Sequence, residues 1–153
     1  MQKIIGLPAH LLMVHLPVVL IPAVGIAAVL IAVRREWRGR FGLTTAGASL
    51  LSVGAVILAK QSGEGMFILM KEAPDIKRHQ SLGNATVILT ILLFVAIVTM
   101  MYLHRRAGKR TTSPLAVAVS VITIALAVMA TVGTIATGHE GAKIASEQIG
   151  VGG

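Results

Sequence analysis

LLMVHLPVVLIPAVGIAAVLIAVRREWRGR, residues 11–40, decides the fold. From Leu11 to Val33 there is no charged residue, a run longer than the roughly 20 residues that a helix needs to cross a bilayer. Arg34, Arg35, Arg38 and Arg40 then follow against the single acid Glu36. The run is too long, and too interrupted by His15, Pro17 and Pro22, for the core of a cleaved leader. Its arginine flank reads as a stop-transfer signal, so the segment is expected to stay as the first membrane helix.

Three further runs of the same kind follow, and they set the organisation of the chain. The expected spans cover about residues 9–33, 41–60, 79–103 and 114–138 of a single four-span transmembrane domain. The expected fold is all-α, an integral membrane four-helix bundle running up-down-up-down, with the first helix diagonal to the third and the second to the fourth. Composition agrees: 55% of the 153 residues are hydrophobic and 13% charged, and the mean hydropathy is +0.83, far too apolar for a soluble domain. The lipid bilayer is the first partner. A net charge of +8 raises the question of nucleic acid. The basic residues, however, sit in short clusters beside apolar runs, with only 3% aromatics and no binding motif, so none is expected. With no cysteine, disulfides, thiolate metal sites and iron–sulfur ligation are excluded.

Charge also sets topology. Arg34, Arg35, Arg38 and Arg40 lie between the first two spans, and Arg105, Arg106, Lys109 and Arg110 between the last two, without a matching set of acids. The positive-inside rule places both clusters in the cytoplasm, with Trp37 and Tyr102 at that boundary and both termini extracytoplasmic. A bacterial cytoplasmic membrane is the expected location. The stripes Ala48, Ser52, Ala55, Ala59 and Thr123, Ala127, Ala130, Thr134 recur at helical spacing and mark faces where helices approach closely.

With the arginine clusters as rulers, the polar residues of the spans fall into levels. Counted from the cytoplasmic ends, His10, His79, His139 and Glu64 rise to about the same height near the outer boundary, one from each helix; His15 and Lys60 form a second level about 7.5 Å deeper. His10 and His15 are five apart, about 140° around a helix, so they serve different partners. Pro17 and Pro22 remove the amides that would bond Met13 and Val18, and the resulting kink opens room in the outer half. His104 heads the basic cluster as a solvated residue. TGHEG, residues 137–141, reads as a glycine-ended helix terminus, and GEGMFILM, residues 63–70, as an apolar strip in the outer loop.

The opening LPAHLLMVHLP, the four-span hydropathy, the histidine at the start of the third span and the terminal TGHEGAKIASEQIGVGG resemble the domain-of-unknown-function family 2231 of bacterial membrane proteins. Members open with an H-P-L-L-V-H-F-P-like string and end in a G-G-x-L-V-Y-x-x-G-V-G-V-like tail. This chain departs at Leu11, where the family has proline, and at Ala142 and Ala145-Ser146 in the tail. The resemblance covers nearly the whole chain and singles out His10, His15, His79 and Gly141, with His139 beside them. Fusions of relatives to Rieske or cytochrome-type domains imply redox chemistry by association.

Three functions follow as expectations. The first is a b-type haem-binding electron-transfer subunit, with imidazoles from His10, His15, His79 or His139 as ligands, Lys60, Lys77 or Arg78 neutralising propionates, and a redox partner protein or a quinone at the other end of the transfer. The second is a non-haem transition metal ion held by His10, His79, His139 and Glu64. The third is a structural accessory subunit. Transport would need inverted repeats, which a single bundle lacks and only an oligomer would supply. No serine or threonine sits in a recognisable triad, so a binding or electron-transfer subunit is expected rather than a stand-alone enzyme.

Overall fold

A computed structural model describes the backbone of residues 3–4, 7–67, 74–107 and 113–149 and the side chains of 15–63, 77–106 and 113–143. A two-residue antiparallel pair, Lys3–Ile4 with Leu7–Pro8, precedes four helices: α1 Ala9–Val33, α2 Arg35–Phe67, α3 Pro74–Ala107 and α4 Pro114–Ile149. Each helix contains a stretch long and apolar enough to cross a membrane. The all-α four-helix membrane bundle expected from the hydropathy pattern is the fold observed.

The helices outrun the apolar spans. α2 begins at Arg35 rather than near 41, because RREWRGR forms its first turns and Arg34 alone joins it to α1. The joint is closed by Arg34 N–H on Leu30 O at 2.9 Å and Trp37 N–H on Arg34 O at 3.0 Å. α2 also continues to Phe67, so part of the apolar strip 63–70 is helix; positions 68–70 lie outside the described residues. α4 passes through Gly138 and Gly141 without ending, which overturns the reading of TGHEG as a helix terminus. Pro17 and Pro22 both lie inside α1.

α1 packs on α2 and α4, and α3 on α4 and α2, while α1 and α3 meet far less, as diagonal helices do. The expected arrangement is thereby met, and it follows from short connections between antiparallel neighbours. Lipid tails are as apolar as leucine, so close packing of small side chains, rather than exclusion from water, brings such helices together. The seams show it. A Cβ on Gly42 of α2 would fall 2.0 Å from Met101 Sδ of α3, and one on Gly25 of α1 would fall 2.7 Å from Thr131 Oγ1 of α4. Both small-residue stripes face inward: Ser52, Ala55, Thr123, Ala127, Ala130 and Thr134 are buried.

The core combines Ile21, Ile31, Leu93, Ile97 and Met100 with hydroxyls. Most of those hydroxyls bond within their own helix. Thr45, Ser52, Thr90, Thr123 and Thr134 each donate to the carbonyl four residues back, at 2.7–2.9 Å. This satisfies the hydroxyl and keeps the side chain short, so buried Ser and Thr act here mainly as slim packing residues. The lipid-facing surface carries Val19, Ile26, Leu43, Leu51, Ile88, Val121 and Ile135, all exposed.

Candidate functional site

The bundle has two chemically distinct ends, one bearing histidines and one bearing arginines. At the histidine end, α3 presents His79 into the seam with α4. The imidazole is half-buried and lies over Gly141: a Cβ there would come 3.2 Å from His79 Cε1, 3.8 Å from Nδ1 and 4.0 Å from Nε2. With any side chain at this position the ring would have to give by a few tenths of an ångström. Nδ1 is sealed from solvent. The Thr137 backbone offers the ring a hydrogen-bond acceptor, and the Glu140 carboxylate acts on it electrostatically. Glu140 in turn pairs with Arg78, Oε1 to Nε 3.5 Å, the acid side chain being 14% accessible and the arginine 70%. The seam continues inward through the Thr86 and Thr137 hydroxyls, 3.2 Å apart. Gly138 faces α1, where a Cβ would meet Val18 at 3.9 Å.

TGHEG is therefore a working stretch of helix. Thr137, Glu140 and Gly141 all address His79, while His139 between them is exposed. His15 and Lys60 are exposed as well. His10 belongs to α1 and Glu64 to α2, but their side chains lie outside the described residues. Among the described residues, no three His, Asp or Glu side chains come together as a metal site. Glu140 and its pairing with Arg78 were missed by sequence reasoning. The available signal was an acid beside a histidine near the end of the fourth apolar run and a base beside a histidine at the start of the third.

At the arginine end, α1 finishes with no basic residue in its last turn, so its terminal carbonyls need donors from elsewhere. Arg38 provides them from the first turns of α2. It is buried, at 4% exposure; Nε donates to Ile31 O at 2.7 Å, and Nη2 donates to Ala32 O and to Ser120 Oγ at 2.9 Å. Ser120 Oγ in turn donates a hydrogen bond to Ala116 O at 2.7 Å. One guanidinium thus ties α1, α2 and α4 together. The clue in the sequence was a helix ending in bare carbonyls a few residues ahead of an arginine.

His104 lies beside this knot, its Nε2 3.9 Å from where a Cβ on Gly39 would sit, with Arg35 and Arg38 acting on it electrostatically. It is half-buried, and its Nδ1 is sealed from solvent without a hydrogen-bond partner among the described residues. The expectation of a solvated His104 is corrected: α3 runs on to Ala107, so this position is still inside the α2–α3 seam.

A multi-pass membrane helix bundle with an imidazole-bearing end and a guanidinium-bearing end is the class these features define. The chain belongs to the DUF2231 family, described as predicted membrane protein, whose model matches residues 6–152. Neither a curated protein nor a solved structure matches it.

Proposed function

We propose that this membrane protein is a b-type haem-binding electron-transfer subunit of a bacterial cytoplasmic membrane, with His79 as an axial ligand. The observation that carries the reading is the seating of His79: one ring nitrogen is turned away from water into a seam that offers a backbone carbonyl and a carboxylate. Imidazoles that bind metal through one nitrogen are usually fixed through the other by such an acceptor, which sets tautomer and ring orientation. A second ligand from the facing helix completes a haem site in a bundle, and α1 stands diagonal to α3.

In the register of α1, position 10 falls two turns before the buried Pro17, on the line that continues through Ile21, Val24, Ala28 and Ile31, whereas His15 is exposed. His10 is therefore the proposed partner of His79. Lys60, Lys77 and Arg78 are exposed at this end and offer positive charge to propionates. Haem would supply a one-electron couple, passed to a redox protein or a quinone; the chain's own part is to hold the two imidazoles and neutralise the carboxylates.

The test is an optical spectrum of detergent-purified protein from haem-replete expression, oxidised and dithionite-reduced. A paired reduced band of the cytochrome b kind is expected, lost in His79→Ala and His10→Ala and kept in His15→Ala, His139→Ala and His104→Ala. A featureless spectrum with stoichiometric metal by elemental analysis would transfer the reading to a metal ion held by His10, His79, His139 and Glu64. Neither haem nor metal would leave an accessory role.

A further inference from the structure

Three of the five aromatic residues of the chain, Trp37, Phe41 and Tyr102, lie at the arginine end, and each carries a guanidinium over its ring. Arg34 Cζ sits 4.9 Å from the Trp37 centroid, Arg40 Cζ 5.3 Å from Phe41 and Arg106 Cζ 4.8 Å from Tyr102. Trp37 and Phe41 meet edge to face at 5.8 Å, so Arg34 in the α1–α2 joint and Trp37, Phe41 and Arg40 on the first turns of α2 form one continuous strip. Tyr102 with Arg106 stands on α3, the helix packed beside it.

We propose that this end binds the phosphate headgroup of an anionic phospholipid, with Arg34, Arg40 and Arg106 as the anion-binding groups. All three are exposed. A guanidinium held over an aromatic face still has N–H donors to offer an anion, and its planar fork matches a phosphate bidentately. Stacking also fixes part of the side chain in advance, which lowers the ordering cost of binding. Net charge has the right sign: segments 34–40 and 104–110 hold eight Lys and Arg against the single Glu36. Basic clusters of this size beside a membrane helix attract anionic lipid at about 1 kcal/mol per residue.

The ligand is a lipid rather than a free anion because the guanidiniums border an apolar surface. Phe41 is 42% exposed and Tyr102 51%, and Val33, Leu43 and Leu115, at the same ends of their helices, are exposed as well. A phosphate joined to acyl chains meets both halves of this surface; inorganic phosphate meets one.

Trp37 is the only tryptophan, so its fluorescence reports on the site without labelling. The full chain is placed in nanodiscs of phosphatidylcholine containing a minor fraction of lipid brominated near the top of its chains, either phosphatidylglycerol or phosphatidylcholine. At equal mole fraction the brominated phosphatidylglycerol is expected to quench Trp37 several-fold more strongly, with the preference fading at high salt. Arg34→Gln should weaken the preference about fivefold, and Arg34→Gln/Arg40→Gln/Arg106→Gln should erase it. Circular dichroism and thermal unfolding show whether the triple variant is folded; if it is not, Arg106→Gln on α3 carries the test alone. Equal quenching by the two lipids in the wild type, or an undiminished preference in the folded variant, overturns the proposal. Protection of Trp37 by inorganic phosphate beyond that given by chloride at equal ionic strength overturns the assignment to lipid.

Discussion

The two ends of the bundle handle buried polarity in opposite ways. At the arginine end a single fixed cation, Arg38, is spent on backbone carbonyls and one serine, and it locks three helices with bonds that no change of pH near neutrality removes. At the histidine end the polar groups are an imidazole, a carboxylate and an outward-reaching arginine, meeting only across the α3–α4 seam. The first arrangement is a clamp. The second leaves titratable and ligating groups at a place where the packing is lined by glycine. Fixed hydrogen bonds thus tie the helices at one end, and an imidazole meets a carboxylate at the other.

The strongest challenge to this contrast is Arg38→Met. It strips donors from Ile31 O, Ala32 O and Ser120 and should destabilise the protein by about 3 kcal/mol, since hydrogen bonds to charged groups contribute roughly 1.5–3 kcal/mol each. Arg38→Lys should recover less than half, for want of the planar fork. Thermal unfolding in detergent measures both; a Met variant as stable as wild type would show that the clamp is idle.

Next in size is Gly141→Leu. The new side chain must displace His79, at about 1–2 kcal/mol after the gain in helix propensity is counted. The imidazole proton shifts of His79, read by NMR, should move more than those of His104, and a change confined to His104 would contradict the α3–α4 seating.

His104→Leu tests the arginine end from the opposite direction. Removing a buried nitrogen that has no partner among the described residues should raise stability, by about 1 kcal/mol. A loss of stability would mean that His104 is bonded after all. Smallest is Arg78→Gln. Arg78 is 70% accessible, so its pairing with Glu140 should be worth under about 0.5 kcal/mol and fade with salt.

The fold was legible because membrane helices are written in long apolar runs with charged punctuation, and the register of small residues on α2 and α4 named the packing faces correctly. The helix ends were less so. Hydropathy marks where the apolar stretch stops, yet Arg35–Arg40 and Gly138–Ile149 continue as helix because backbone hydrogen bonding does not depend on side-chain polarity. The level of His79 was readable by counting residues, but its neighbours were not: Glu140 and Gly141 reach it only through the azimuth of α4 against α3. Arg38 was read as loop charge because a stop-transfer arginine and a helix-clamping arginine look alike in a string of letters.

One joint has mechanical weight. With Arg34 as the whole connection between α1 and α2, and with Arg38 reaching back to Ile31 and Ala32, the pair is hinged like a lever at one end and has no slack there. Gly25 fixes α1 against Thr131 about 12 Å along. Beyond that point lie Pro22 and Pro17, each removing one rung of the helix ladder, so bending stiffness falls where the lever arm is longest. A tilt of about 5° over the remaining 16 residues carries the start of α1 by roughly 2 Å, so a bend at the prolines displaces the first turn of the helix more than any later one.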